Sequence, residues 1–447
     1  MNRVRVSWVG VLLLVLSCAQ RTPSTSARLA GANHLVLVDE LPGDGLLADA
    51  VADKPPVGIP HRYLFVTSTD TNELRVLRLW TEKLDYRQFV EAPNALETLS
   101  IPVIDRPMVL AVDEGVSVRG RLSTGSYVYA GRAGGLEVAV VGTAPSEMRA
   151  VLTQPLALPM PMTAMTAWMG SDLTRLPEQT TLFVAGFDGL RGGLFRFTLA
   201  TNAAQLRQGS LPVAERVMDV GAESVVALHM LPPLPGRSVN GHPFCAGKNG
   251  CLAVATRKAS GTTGRTFLID LETSERVDLA FPWPVRQFAS GGMGSRLYGI
   301  LDEESCSDSS CRGVIGVDVE RTAGAAFGIM KNALGEPMRV IGTDGSLAMS
   351  LRIVAGGTLR TTSEQYDGGA SSLVVGQSSY DLLGVMTSSE GLMTFFDAAR
   401  GTVIDYDIRR ALVGSALLRT PGVFEDGGTG LFDADGGVFG STRAVFG

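Results

Sequence analysis

Short apolar runs, each closed by a cluster of Gly, Asp or Ser, recur along the chain. They include "HRYLFVTSTDTNELRVLRLW" from His61 to Trp80, "GSYVYAGRAGGLEVAVVG" from Gly125, "TTLFVAGFDGLRGGLFRFTL" from Thr180, "SRLYGILDEESCSDSSCRGVIGVDVE" from Ser295 and "DLLGVMTSSEGLMTFFDAARGTVID" from Asp381. In each, a run of about five apolar residues meets a polar turn and then a second run of alternating character, the pattern of a strand, a tight turn and a returning strand. No helical period or heptad is sustained, so the pattern predicts an all-β chain.

Some units begin one strand earlier: "RPMVLAV" from Arg106 precedes the second, and "PVRQFAS" from Pro284 precedes the one at Ser295. A degenerate copy lies in "ESVVALHM" and "CLAVATRKASGTTGRTFLIDL", between Glu223 and Leu271, with a long insertion between its strands. "MRVIGTDGSLAMSLRIV", Met338 to Val354, reads as another. The result is about seven units of antiparallel strands at a spacing of roughly 35 to 65 residues, which brackets the period of the four-stranded blades of a β-propeller. A hairpin alone cannot bury its face, whereas a ring of stacked blades can. Ring closure calls for a strand from one terminus to complete a sheet begun at the other, and "HLVLV", His34 to Val38, is the candidate. The competing arrangement is a pair of β-sandwiches, whose hairpins give similar local signals.

The order P-x-x-L-A-V, G-x-Y-V-Y-A, G-x-L-E-V-A-V-V in Pro107 to Val141, with "RYLFVT" and "NELRVL" in Arg62 to Leu77, resembles the blades of YVTN and lactonase-like β-propellers. That resemblance implies a propeller over most of the chain. Its lactonase-like side implies chemistry at the mouth of a central channel, with acid and base residues arriving from several blades.

The first residues, "MNRVRVSWVGVLLLVLSCAQ", place Arg3 and Arg5 before an apolar run from Trp8 to Leu16, as a secretory signal peptide does. The run is too short to span a bilayer, which needs ~20 residues, so removal is expected over retention as an anchor. "VLSC", Val15 to Cys18, resembles the bacterial lipobox, which implies lipidation of Cys18 and cleavage before it. Several acyl chains on one residue hold a protein firmly to a membrane it does not cross. Ala19, where that family often carries an aspartate for inner-membrane retention, points to the outer membrane. The expected organisation is a cleaved signal peptide at 1–17, a lipidated flexible tether at 18–33 and a propeller domain at 34–447. Within the tether, "AQRTPSTSARLAGAN" has no period that could bury a face.

Composition narrows the partners. The 447 residues carry a formal charge of −6, and removing Arg3 and Arg5 makes it more negative. Nucleic acid is therefore not an expected partner, and no basic run offers a second membrane signal. Glycine supplies 53 residues and proline 22, an excess of glycine over the usual ~7% that favours many tight turns over disorder.

Secretion would place Cys245, Cys251, Cys306 and Cys311 in an oxidising compartment, where cysteines in even number pair. Four cysteines allow three connectivities, and proximity favours Cys245 with Cys251 and Cys306 with Cys311. Cys306 and Cys311 flank "SDSS" at the mouth of a hairpin, where facing positions lie within disulfide reach. The metal alternative would use those two thiols, or Asp302, Glu303, Glu304 and Asp308, but zinc sites want tighter C-x₂₋₄-C pairs.

Three further features carry weaker chemistry. Met160, Met162, Met165 and Met169 cluster as thioethers suited to Cu(I), or simply as fillers of an apolar gap. Asp-Gly-Gly occurs at Asp367 and Asp426, and Asp433 and Asp435 form part of a calcium-loop pattern, although Asp-Gly is also the commonest tight-turn signal. No G-x-S-x-G, H-E-x-x-H, complete Walker A or C-x-x-C-H is present, and His34, His61, His229 and His242 are the only histidines. No catalytic residue and no cofactor is assigned, with calcium and copper as the alternatives. The expected function is a lipid-anchored envelope propeller that binds or scaffolds a protein or small ligand, its first contact surfaces being the loops Met230–Cys251 and Asp302–Arg312. The alternative is an envelope hydrolase or lactonase-like enzyme.

Overall fold

The computed structural model describes residues 34–39, 62–79, 87–89, 99–117, 121–144, 147–171, 178–258, 263–291, 294–302, 312–320, 322, 326–332, 334–340, 348–367, 370–388 and 392–408. Strands dominate them, and the pairing follows chain order. The first sheet runs Leu35–Asp39, Arg62–Ser68, Glu73–Leu79 and Arg87–Phe89, with Ser100–Pro102 also on the third strand. The second runs Val109–Ser117, Arg121–Gly131, Glu137–Gly142 and Leu156–Ala157; the third runs Met162–Ser171, Gln179–Phe187, Gly192–Ala200 and Glu215–Gly221. The fourth is Glu223–Leu231, Cys251–Lys258, Thr266–Asp270 and Arg276–Leu279, with Ala326–Phe327 added at its edge. Val285–Gly291, Arg296–Leu301, Val314–Asp318 and Arg339–Val340 make the fifth, and Ala348–Asp367, Ala370–Ser388, Leu392–Asp397 and Thr402–Ile408 the sixth.

The first strand of each sheet packs on the first strand of the next, from the first sheet through to the sixth, so these strands share an inner axis. Five apolar clusters fill the five interfaces between successive sheets. The alternation of a strand sends neighbouring side chains to opposite faces, and here both faces are interfaces. In Arg121–Gly131, Val128 and Ala130 pack toward the first sheet while Tyr127 and Tyr129 pack toward the third, and all four are fully buried. This is why the strands read as apolar runs and not as strict alternation. Each such Val, Leu or Phe contributes roughly 1.5–3 kcal/mol relative to exposure. Buried tyrosines also bridge neighbours: Tyr127 OH donates to Ala200 O at 2.6 Å, and Tyr298 OH donates to Ala398 O at 2.9 Å.

The all-β class and the β-propeller architecture stand. Among the described residues there are six radial units, and two expectations change. Met338 to Val354 is not a unit of its own: Arg339–Val340 is the outer strand of the fifth sheet, whereas Ala348 begins the inner strand of the sixth. One apolar stretch thus serves two sheets, a division that periodicity alone does not reveal. His34 to Val38 does not complete a sheet begun near the other terminus. It pairs in its own first sheet, Leu35 opposite Val66 and Asp39 opposite Arg62, because its partner strand follows it in the chain. Residues 409–447 and the tether lie outside the described residues.

The turns follow local chemistry. In "FDGLRGG" the Asp188 carboxylate accepts from the backbone N–H of Leu190 at 2.8 Å and of Arg191 at 2.7 Å, while Gly189 supplies a φ of 96°. At the tip of the sixth sheet Asp367 pairs with Ala370, and the two glycines between them lie outside the described residues.

Candidate functional site

Two histidines lie at the inner strands, and the charge of one arginine acts on both. His34, half-buried, sits just before the first strand of the first sheet, held by its backbone N–H donating to Thr67 Oγ1 at 3.0 Å. Its Nδ1 accepts from the Leu110 N–H at 3.3 Å, which leaves the ring proton on Nε2. His229, on the inner strand of the fourth sheet, places Nε2 3.0 Å from Ser290 Oγ on the inner strand of the fifth. Arg352, on the inner strand of the sixth, acts electrostatically on both imidazoles.

Burial, and then the charge of Arg352, lowers both His34 and His229 to about 4. Both are therefore neutral near pH 7, each with one N–H donor and one acceptor nitrogen. Together with Ser290 and the guanidinium, they make a donor-rich axial cluster suited to gripping an acceptor-rich group. Of the other two histidines, His242 is exposed and His61 lies outside the described residues. No group of three His, Cys, Asp or Glu residues with metal-binding proximity occurs among the described residues.

The insertion between Leu231 and Cys251 is anchored inward at some positions, while Asn240, Gly241, His242, Pro243 and Lys248 stay exposed. Cys245 and Cys251 are joined across it with Cα atoms 5.3 Å apart, and both are buried. Arg237, fully buried, donates from Nε to Val319 O at 3.0 Å, from Nη2 to Gly294 O at 2.7 Å, and from Nη1 to Pro232 O at 3.4 Å and Cys251 Sγ at 3.3 Å. Burial draws its pKa down to about 10, so it remains a cation at neutral pH. Ser238 N–H donates to Glu320 O at 2.9 Å, and Phe244 packs on Phe327 with ring centroids 6.1 Å apart. The insertion is thus a clasp from the fourth sheet onto the fifth. Arg237 and Ser238 turn inward because their donors find backbone partners beside the neighbouring sheet.

Of the other sequence-derived candidates, Cys18, Cys306, Cys311, Glu303, Glu304, Asp308, Asp426, Asp433 and Asp435 lie outside the described residues. Asp302 is buried and pairs with Arg257 at 3.0 Å. Met162 and Met165 belong to the cluster between the second and third sheets, Met169 is buried, and the Met160 side chain lies against Gly186. Sequence reasoning missed Asp113, Arg237 and Arg352. The usable signal was a charge inside an otherwise apolar strand, as in "VLAVDEG" and "SLRIV"; nothing local marked Arg237.

No protein-family model and no curated protein matches this chain. Among solved structures it is similar to Kuenenia stuttgartiensis hydrazine synthase, at 10% identity over 80% of this chain and 86% of that one, with a TM-score of 0.42. It is likewise similar to BBS1N solved in complex with ARL6DN, at 9% identity over 89% and 88% with a TM-score of 0.43. The RRP9 WD40 repeats follow at 10% identity over 79% of both chains, with a TM-score of 0.41. The architecture assigned here rests on the strand pairing itself.

Proposed function

We propose that this chain is a lipid-anchored propeller of the bacterial envelope that works as a binding or scaffolding module, with the axial cluster at its ligand-recognising end. The observation that carries the reading is that the Arg352 charge acts on both His34 and His229, with Ser290 beside His229, groups contributed by the sixth, first, fourth and fifth sheets. Groups far apart in sequence thus come under one charge, and what they offer is hydrogen-bond donors and positive charge. The lipobox resemblance of Val15 to Cys18 and the Ala19 that follows support the envelope and outer-membrane address. The YVTN-like strand pattern is consistent with it.

A hydrolase or lactonase-like enzyme is the second reading, favoured by the two axial histidines. The binding role is preferred because imidazoles held near 4 are weak bases at neutral pH.

The test is cross-linking of the tethered protein in intact envelopes, comparing wild type with Arg352→Gln and with Cys18→Ser. A stoichiometric partner or ligand retained by wild type and lost from Arg352→Gln supports the axial binding role. Retention unchanged in Arg352→Gln overturns it. Membrane retention of Cys18→Ser counts against the lipid anchor, independently of the binding result.

A further inference from the structure

The second and third sheets are joined in a way the other neighbours are not: their inner strands pair in parallel, Ala167 opposite Asp113 and Trp168 opposite Glu114, so the two sheets form one eight-stranded surface. Asp113 sits at that seam and at an irregularity. Val112 faces Val128, but Glu114 faces Thr124, leaving Asp113 against three residues of the partner strand. Its Oδ1 accepts from the Tyr127 N–H at 2.8 Å, which satisfies the backbone the irregularity would otherwise strand.

The other oxygen is the unusual one. Asp113 is fully buried, and its Oδ2 has no hydrogen-bond partner; the same is true of the fully buried Tyr129 OH. Both lie on the face turned toward the third sheet, because Asp113 shares the parity of Ala111, which stands opposite Tyr129. Thr180, buried on the second strand of the third sheet, lies close enough to act on the ionisation of both, while its own proton goes to Trp168 O at 3.2 Å. Its oxygen therefore keeps a lone pair to accept with. The positions flanking this spot, Ala111 and Ala167, are small.

We propose that Asp113 Oδ2, Tyr129 OH and Thr180 Oγ1 together hold one ordered water molecule between the second and third sheets. The water accepts from Tyr129 OH, donates to Thr180 Oγ1 and bonds to Asp113 Oδ2. That makes about three hydrogen bonds, the number usual for buried water. Burial pushes Asp113 up to about 7, with the Tyr127 N–H acting the other way, so near neutral pH the carboxyl exchanges between accepting from the water and donating to it. The alternative, leaving two polar oxygens buried and unmet at one seam, is disfavoured in folded proteins.

The inference is tested on the intact protein by high-resolution crystallography and by the melting temperature of Tyr129→Phe. Density for a single water within hydrogen-bond distance of all three oxygens is expected. Tyr129→Phe should melt lower than wild type, because it removes a donor from the water. A higher melting temperature means the hydroxyl had been unpaired and overturns the site. So does a crystal structure in which Asp113 and Tyr129 touch directly, or in which no density bridges them. Should Tyr129→Phe fail to fold, the wild-type density decides alone.

Discussion

Acid should weaken this protein through His34 and His229 before most of its carboxylates matter. Each imidazole is lowered from 6.5 to about 4 in the folded chain, chiefly by burial and then by Arg352. A lowered histidine contributes stability that is present above 6.5 and lost as pH falls toward 4, since the unfolded chain takes up the proton first. At about pH 5 the linkage is worth roughly 2 kcal/mol per histidine, hence roughly 4 kcal/mol for the pair, against a domain stability of about 5–15 kcal/mol. The perturbation that isolates this effect is the double variant His34→Gln and His229→Gln, which keeps polar groups toward the Leu110 N–H and Ser290 but cannot titrate. Urea denaturation at about pH 7.5 and about pH 5 should show wild type losing roughly 4 kcal/mol more than the variant. Any constant cost of the substitutions cancels in that difference. Equal losses in the two proteins would refute the reasoning, because the imidazoles would then titrate alike in the folded and unfolded chains.

Asp113 should behave in the opposite sense. Its carboxyl is raised from 3.8 to about 7 by burial, so its contribution is full below 3.8 and is lost as pH rises through 7. The advantage of Asp113→Asn over wild type should be greater at about pH 8 than at about pH 5 by roughly 2.5 kcal/mol, measured by the same urea titrations. Arg237→Met strips donors from the buried carbonyls of Gly294 and Val319 and should lower stability by about 3 kcal/mol; an unchanged urea midpoint would mean the clasp is not held by that side chain. Cys245→Ser with Cys251→Ser opens only a short loop, so a loss of about 2 kcal/mol is expected, compared under oxidising conditions; a loss near zero would mean the clasp closes equally well without its staple.

Strands and their turns were set by local sequence. Where a strand is buried on both faces, its apolar run is a local property, and Asp-Gly or Gly-rich breaks at the tips mark the return; this is why "RYLFVTS", "SYVYAG" and "TTLFVAGF" are legible from residue order alone. Local sequence also marked Cys245 and Cys251 as partners, because they lie close along the chain. The assignment of strands to sheets, by contrast, came from long-range packing. Met338 to Val354 is one apolar stretch shared between two sheets, and His34 to Val38 is the inner strand of the first sheet, since pairing is settled by packing across interfaces and not by composition. The same holds for chemistry. Arg237 became the centre of a clasp through carbonyls on residues 57 and 82 positions away. The axial cluster exists only because the arrangement of the sheets lets the charge of Arg352, in the last sheet, act on the imidazole of His34, at the first.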